Sequence, residues 1–276
     1  MASYTLPERE MDFSQPRILG RTGLKVGRLG IGAGYGAPAP TYEEAFERGC
    51  NYFYWLSRKP GMRDAIKNIC GQGKRDQLII VIQSYSRSAL WMEVSIKKAL
   101  KSLSLEYADI LILGWHNKPP SKRLIDKAFR MREKGFYRFL GLSGHNRSVF
   151  PKMAEKGVFD VFHVRYNAAH RGAEKETFPY MQGENKPGVV SYTATRWGQL
   201  LNSRKMPPGE LPLSATDCYR FALTNSAVDL CLCGPKNTKQ MKDALRSLDI
   251  GPMDKSELMR ARKIGDYVSG KTAKFF

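Results

Sequence analysis

The chain has 276 residues, 42% of them hydrophobic, which is enough for a sizeable core. Its longest apolar runs fall well short of the roughly 18 residues of a membrane span, and Met1 to Glu10 contains no apolar signal core. The formal net charge of +19 admits nucleic acid, an anionic surface or phosphorylated small molecules as partners.

Lys and Arg are spread along the chain in short clusters such as Lys97-Lys98 and Arg260-Ala-Arg-Lys263, without zinc-finger spacing or an RNA-binding aromatic signature. A solvated basic surface is therefore expected in preference to nucleic-acid binding. The five cysteines (Cys50, Cys70, Cys218, Cys231, Cys233) form no paired framework and favour reduced thiols. These features predict a soluble cytoplasmic protein with no membrane partner.

Residues 1–16 read as a loosely held leader closed by Pro16, ahead of a single domain over 17–276. Arg17 to Val26 carries a hairpin signal around a glycine-containing turn, suited to plugging the bottom of a barrel. From Arg28 a strand–helix alternation begins. The first strand, Arg28 to Ile31, runs into Gly32-Ala-Gly-Tyr-Gly-Ala37, and Thr41 with Glu44 predicts a capping box for the helix through Cys50. Strands follow at 51–55, 78–84, 108–114, 137–143, 158–166, 188–193 and 228–233, with helices at 61–70, 91–103, about 121–134, 149–156, 174–181, 216–223 and 238–248. A last helix over about 255–269 has no strand after it.

Eight such units in about 250 residues point to a closed α/β barrel rather than an open sheet. Leu78-Ile-Ile-Val-Ile-Gln-Ser84 and the run from Ala108 to His116 are apolar on both faces, as strands covered on both sides are, and each ends in polar groups. Those ends gather at the C-terminal mouth, where such barrels place their chemistry.

Gly32 to Ala37 matches the loose dinucleotide fingerprint, but prolines follow it and no acid ends the second strand. Its glycines are expected instead to let backbone approach a ligand. The loops after strands seven and eight offer Arg196 and Lys236 as phosphate cations, with Asn237 or Thr238 capping the next helix. The four histidines (His116, His145, His163, His170) lie at or just beyond strand ends, though His163 also fits a hydrogen-bonded core position. Cys231 and Cys233 share one face of strand eight and read as core thiols, and no metal site is expected.

Arg17-Ile-Leu-Gly-Arg-Thr-Gly-Leu-Lys-Val-Gly-Arg-Leu-Gly-Ile-Gly32 resembles the opening of the aldo-keto reductase superfamily. Gly49-Cys-Asn-Tyr-Phe53, Gly141-Leu-Ser-Gly-His145, Arg165-Tyr-Asn167 and Gly234-Pro-Lys-Asn-Thr-Lys-Gln240 extend the resemblance collinearly over nearly the whole chain. It implies a (β/α)8 TIM barrel with an N-terminal hairpin plug, an NADP(H) cofactor across the mouth, and hydride transfer to or from a small carbonyl or alcohol substrate. By similarity, Ser143 and Asn167 would hold the nicotinamide carboxamide and His163 would stand at the same ring. Tyr192 would stack beneath it, and Gly234, Lys236 and Gln240 would serve the adenosine end.

The catalytic positions depart from the family pattern. Its Asp position reads Tyr54, its Tyr position Lys59 and its Lys position Gln83, while its His position reads Gly114 with His116 two residues later. The expected set is therefore Tyr54 or Tyr85 as acid, with Lys59, Gln83 or His116 assisting. A nucleotide-binding sensor or scaffold without turnover is the alternative. A third possibility is that the positive charge serves an anionic macromolecule.

Overall fold

A computed structural model describes residues 11–32, 35–56 and 59–272. The first ten residues of the expected leader, and Ala33-Gly34 of the glycine-rich stretch, lie outside the described residues. Two short strands, β1 (Arg17–Ile18) and β2 (Lys25–Val26), pair antiparallel. Among the described residues eight parallel strands then close a barrel in chain order: β3 (Leu29–Gly32), β4 (Tyr52–Trp55), β5 (Ile79–Ser84), β6 (Ala108–Leu113), β7 (Tyr137–Gly144), β8 (Val161–Arg165), β9 (Gly188–Tyr192) and β10 (Leu230–Cys233). β10 returns to β3, so the barrel has no free edge.

The surrounding helices are α1 (Ala39–Glu47), α2 (Pro60–Gly71), α3 (Ala89–Leu103), α4 (Lys122–Glu133), α5 (Val149–Glu155), α6 (Ala173–Glu176), α7 (Ala215–Thr224) and α8 (Thr238–Ile250), followed by α9 (Lys255–Thr272). The expected TIM barrel with its extra C-terminal helix is thus present.

Three local expectations differ. Thr41 does not cap α1, which starts behind Pro38; the Thr41 hydroxyl instead meets that of Thr238 at 2.7 Å and ties α1 to α8. Pro179 cannot continue a helix, so the expected helix over 174–181 is one turn of α6 and a 3-10 turn, Phe178–Tyr180. Phe13, within the supposed loose leader, is buried, with the Arg28 guanidinium 5.0 Å from its ring centre.

Alternation along the strands sorts the side chains into two cores. Outward-facing residues pack under the helices, Cys231 and Cys233 among them. Inward-facing Tyr52, Val81, Ile110, Ile112, Val161, Val190 and Leu230 fill the lower barrel, together with Leu19 and Val26 of the hairpin. The hairpin is therefore a plug, and Arg21 N donates to Lys186 O to hold it there (2.8 Å). Gly20 is left-handed (φ 45°), and a Cβ on it would strike the backbone of Gly188.

Three aspartates brace the same end, Asp109 and Asp229 buried and Asp160 half-buried. Asp109 accepts from Ile80 N (2.8 Å) and pairs with Arg75 (3.0 Å). Asp160 accepts from Leu140 N (3.0 Å) and pairs with Arg21 (3.2 Å). Asp229 accepts from Val189 N (2.8 Å) and pairs with Lys186 (2.9 Å). Each carboxylate thus carries both a strand amide and a cation, as a buried charge requires.

Candidate active site

The period of two that fills the lower barrel continues to the mouth. There it turns Gly32, Tyr54, Gln83, Ser143, His163, Tyr192 and Leu232 into a cavity of about 1150 Å³. From the end beside Tyr54, Tyr85 and Trp115 the cavity passes Tyr192 and Thr193. It continues between Ser214–Asp217 and Gly234–Lys236 to Gln240, Asp243 and Arg246. It is a slot rather than a pit.

At the inner end, the Tyr52 hydroxyl and His163 Nε2 are 2.7 Å apart, and burial pushes the His163 imidazole down to about 3. His163 is therefore neutral at any physiological pH, and the Tyr54 ring meets it edge-on at 5.4 Å. Burial, and then the neighbouring Tyr85 hydroxyl with its hydrogen bond, hold the Tyr54 phenol well above its ordinary value. A Cβ on Gly114 would collide with the Gln83 amide nitrogen. Gln83 thus occupies the space that any side chain at 114 would need, and the two residues form one packing unit.

On the adjoining wall, Ser143 Oγ accepts from Trp115 N (3.2 Å), which leaves its own proton for the slot. The Tyr192 hydroxyl donates to Gly144 O (3.0 Å) and fixes its ring on the wall, with the His145 ring 6.3 Å away.

At the outer end Asn237 caps α8, its Oδ1 accepting from Gln240 N (3.0 Å), while Gln240 Oε1 accepts from Lys236 N (2.9 Å). Ser214 and Asp217 form a full capping box on α7, so that helix start already holds a carboxylate. Of the two helix starts on the slot, α8 is the one suited to an anion.

Four expected residues are not brought to the slot. Lys59 is exposed and supplies only the backbone cap of α2. His116 is buried, and its Nε2 accepts from Arg87 (3.1 Å), a guanidinium that also donates to the carbonyls of Tyr85, Gly114 and Trp115. Burial and then Arg87 push the His116 imidazole down to about 4, so it is a neutral staple for Arg87. Asn167 is fully buried and spends its amide on Thr193 O (2.8 Å) and Ala169 N (3.0 Å). Arg196 is buried behind the wall and does not line the cavity.

Residues not singled out from sequence fill those places. Trp115, Trp197, Thr193, Thr195, Asp217 and Arg246 all line the slot. The Ser-x-x-Asp spacing of 214–217 could have revealed one of them. Three of the others depend on backbone: Trp115, Thr193 and Trp197, with neighbouring Arg196, are four of the five non-glycine residues with left-handed φ among the described residues. Such torsions cost energy and gather where a site is shaped.

Residues 39–214 match the Aldo/keto reductase family. An L-galactose dehydrogenase of Arabidopsis thaliana is 23% identical over 316 aligned positions, covering 93% of this chain and 96% of that protein. In structure the chain is similar to an aldo-keto reductase from Bacillus halodurans at 19% identity. The TM-scores are 0.73 for its holo form and 0.74 for its apo form, over 91% of this chain and 96% and 95% of theirs, a likeness of fold. Family match and barrel agree, and the chain belongs to the aldo/keto reductase family of oxidoreductases.

Proposed function

We propose that this protein binds NADP(H) along the mouth slot and passes hydride between that cofactor and a small carbonyl or alcohol. The observation that carries this reading is the continuity of the slot, from the Tyr54–Tyr85 phenols to Lys236 at the start of α8. The residues present fit the group. Tyr192 offers an aromatic ring held by its hydroxyl, Ser143 a hydroxyl donor, and the first turn of α8 with Lys236 a phosphate site. Arg246 adds a second cation beyond it. A bound nicotinamide would supply the hydride.

The chain's own task is to hold the substrate oxygen and give it a proton. Tyr54 and Tyr85 are the donors within reach of the inner end, with the Gln83 amide beside them. The Tyr54 phenol, held so high, parts with its proton reluctantly, so it acts mainly by hydrogen bonding. Strongly electrophilic acceptors such as quinones and activated aldehydes need the least acid assistance, and they are the expected substrates. The same high Tyr54 phenol, with a neutral amide where the family places a lysine, favours a second reading in which nucleotide binds without turnover.

One experiment separates them. NADPH is titrated into the protein and followed by cofactor fluorescence, and then a panel of quinones and aldehydes is added. Saturable binding with cofactor oxidation supports the oxidoreductase. Binding without oxidation by any acceptor transfers the case to the sensor, and no binding rejects both.

A further inference from the structure

The solvent face of α3 is divided along its length. At 100° per residue, positions 90, 91, 94, 97, 98 and 101 fall within about 120° of arc, opposite buried Met92, Ile96, Ala99, Leu100 and Leu103. The half nearer the barrel mouth is apolar: Leu90 is 66% exposed, Trp91 65% and Val94 45%. The other half carries Lys97, Lys98 and Lys101, and among the described residues no ion pair involves Lys98 or Lys101.

A second exposed aromatic pair lies on the rim, in the loops after β5 and β6. Tyr85, at the end of β5, and Trp115 are both exposed, with their rings edge to face at 6.2 Å. Adjoining apolar side chains of this size left in water mark a contact surface.

Charge identifies the partner. Residues 59–138, which span α2, α3 and α4, hold 17 basic and 7 acidic residues, a surplus of +10 out of the chain's +19. A second copy of the chain would bring the same surplus face to face and be repelled. A nucleic acid would find phosphate contacts but no use for Leu90 and Val94. An apolar tip with an exposed tryptophan, backed by lysines on the same face, offers an anionic bilayer both apolar side chains for its headgroup layer and cations for its surface potential. Lys98 and Lys101 lie about 6 and 10 Å along the axis from Val94, within reach of such a surface potential.

We propose that the α3 edge of the mouth docks on an anionic lipid surface, with Leu90, Trp91 and Val94 entering the headgroup layer and Lys98 and Lys101 facing its charge. The absence of a membrane span among the described residues leaves this contact open, since it spans nothing. β5 stands opposite β9 in the barrel order, so the loops after β9 and β10 stay in water and the outer end of the slot remains accessible.

The test is flotation of the full chain with vesicles of phosphatidylcholine alone and of phosphatidylcholine mixed with phosphatidylserine. Wild type is expected to float with the mixed vesicles only, and less so as salt is raised. The triple variant Leu90→Ser, Trp91→Ser, Val94→Ser should lose flotation with its charge unchanged. The double variant Lys98→Glu, Lys101→Glu should weaken partitioning at least about fivefold for each lysine removed. Thermal melting checks that both variants fold, since all five positions are exposed. Flotation of the triple variant equal to wild type overturns the proposal, as does equal binding to neutral vesicles. So does binding to duplex DNA or self-association through Trp91 without any binding to vesicles.

Discussion

The two ends of this barrel are built on opposite rules. At the bottom, Asp109, Asp160 and Asp229 each receive a strand amide and a cation, and the hairpin seals the interior with Leu19 and Val26. At the mouth, Tyr54, Gln83, Ser143 and His163 face a cavity with no ion pair among them, and four non-glycine residues in the surrounding loops adopt left-handed torsions. The lower end supplies stability. That allows the upper end to keep neutral, strained and desolvated groups that the fold itself does not need.

Acid should separate the ends most sharply. His116 and His163 sit in the upper half with folded values near 4 and 3, against about 6.5 when unfolded. Above pH 6.5 both states hold these rings neutral and their contribution does not change. Below it the unfolded chain takes the proton first, so stability falls as pH falls towards the folded values. Between pH 7 and 5 each ring should cost about 2 kcal/mol, read as a lower urea midpoint. A midpoint that stays level or rises would contradict the burial of these rings.

Next in size, Asp229→Ala should cost about 3 kcal/mol, because it strands the Lys186 cation and the Val189 amide. NADPH affinity per folded molecule should be unchanged, and a substantial loss of affinity would show that the two ends are not separable. Gly114→Ala should act in the reverse sense. Its Cβ drives the Gln83 amide from its seat, and turnover should fall by up to about a hundredfold with NADPH affinity little altered. Smallest of these, Tyr54→Phe should lower turnover at least about tenfold. In the wild type the rate should show no histidine-like limb near neutral pH, because His163 stays neutral and Tyr54 protonated there. A sigmoidal dependence centred near 6.5 would point to a proton donor other than these.

The barrel was legible because eight apolar runs alternate with helical patterns, and within each strand the period of two brings Tyr54, Gln83, Ser143, His163 and Tyr192 to one cavity. Legibility ends where the strand ends. Trp115 takes a left-handed φ of 61°, which turns His116 into the wall two residues after inward-facing Gly114. Thr193 and Arg196 do the same after β9, and Asn167 closes its own turn through Ala169 N instead of reaching the slot. Strand alternation predicts neither an Asx turn nor a left-handed residue, so expectations based on distance along the sequence failed for His116, Asn167 and Arg196, two to four residues past the ends of β6, β8 and β9. Thr41 illustrates a related limit. Its spacing to Glu44 satisfies a capping box, but Pro38 starts the helix earlier and the hydroxyl is used between helices.

The most direct test of the slot is a pair of binding titrations, NADPH and NADH, on wild type and on Lys236→Ala. A dinucleotide lying from Tyr192 to the start of α8 predicts saturable binding of NADPH in the wild type, and a loss of about tenfold for NADPH in the variant with NADH little affected. Equal losses for both nucleotides would place Lys236 away from the 2′-phosphate. No saturable binding of either nucleotide to wild type would contradict the slot as a cofactor site.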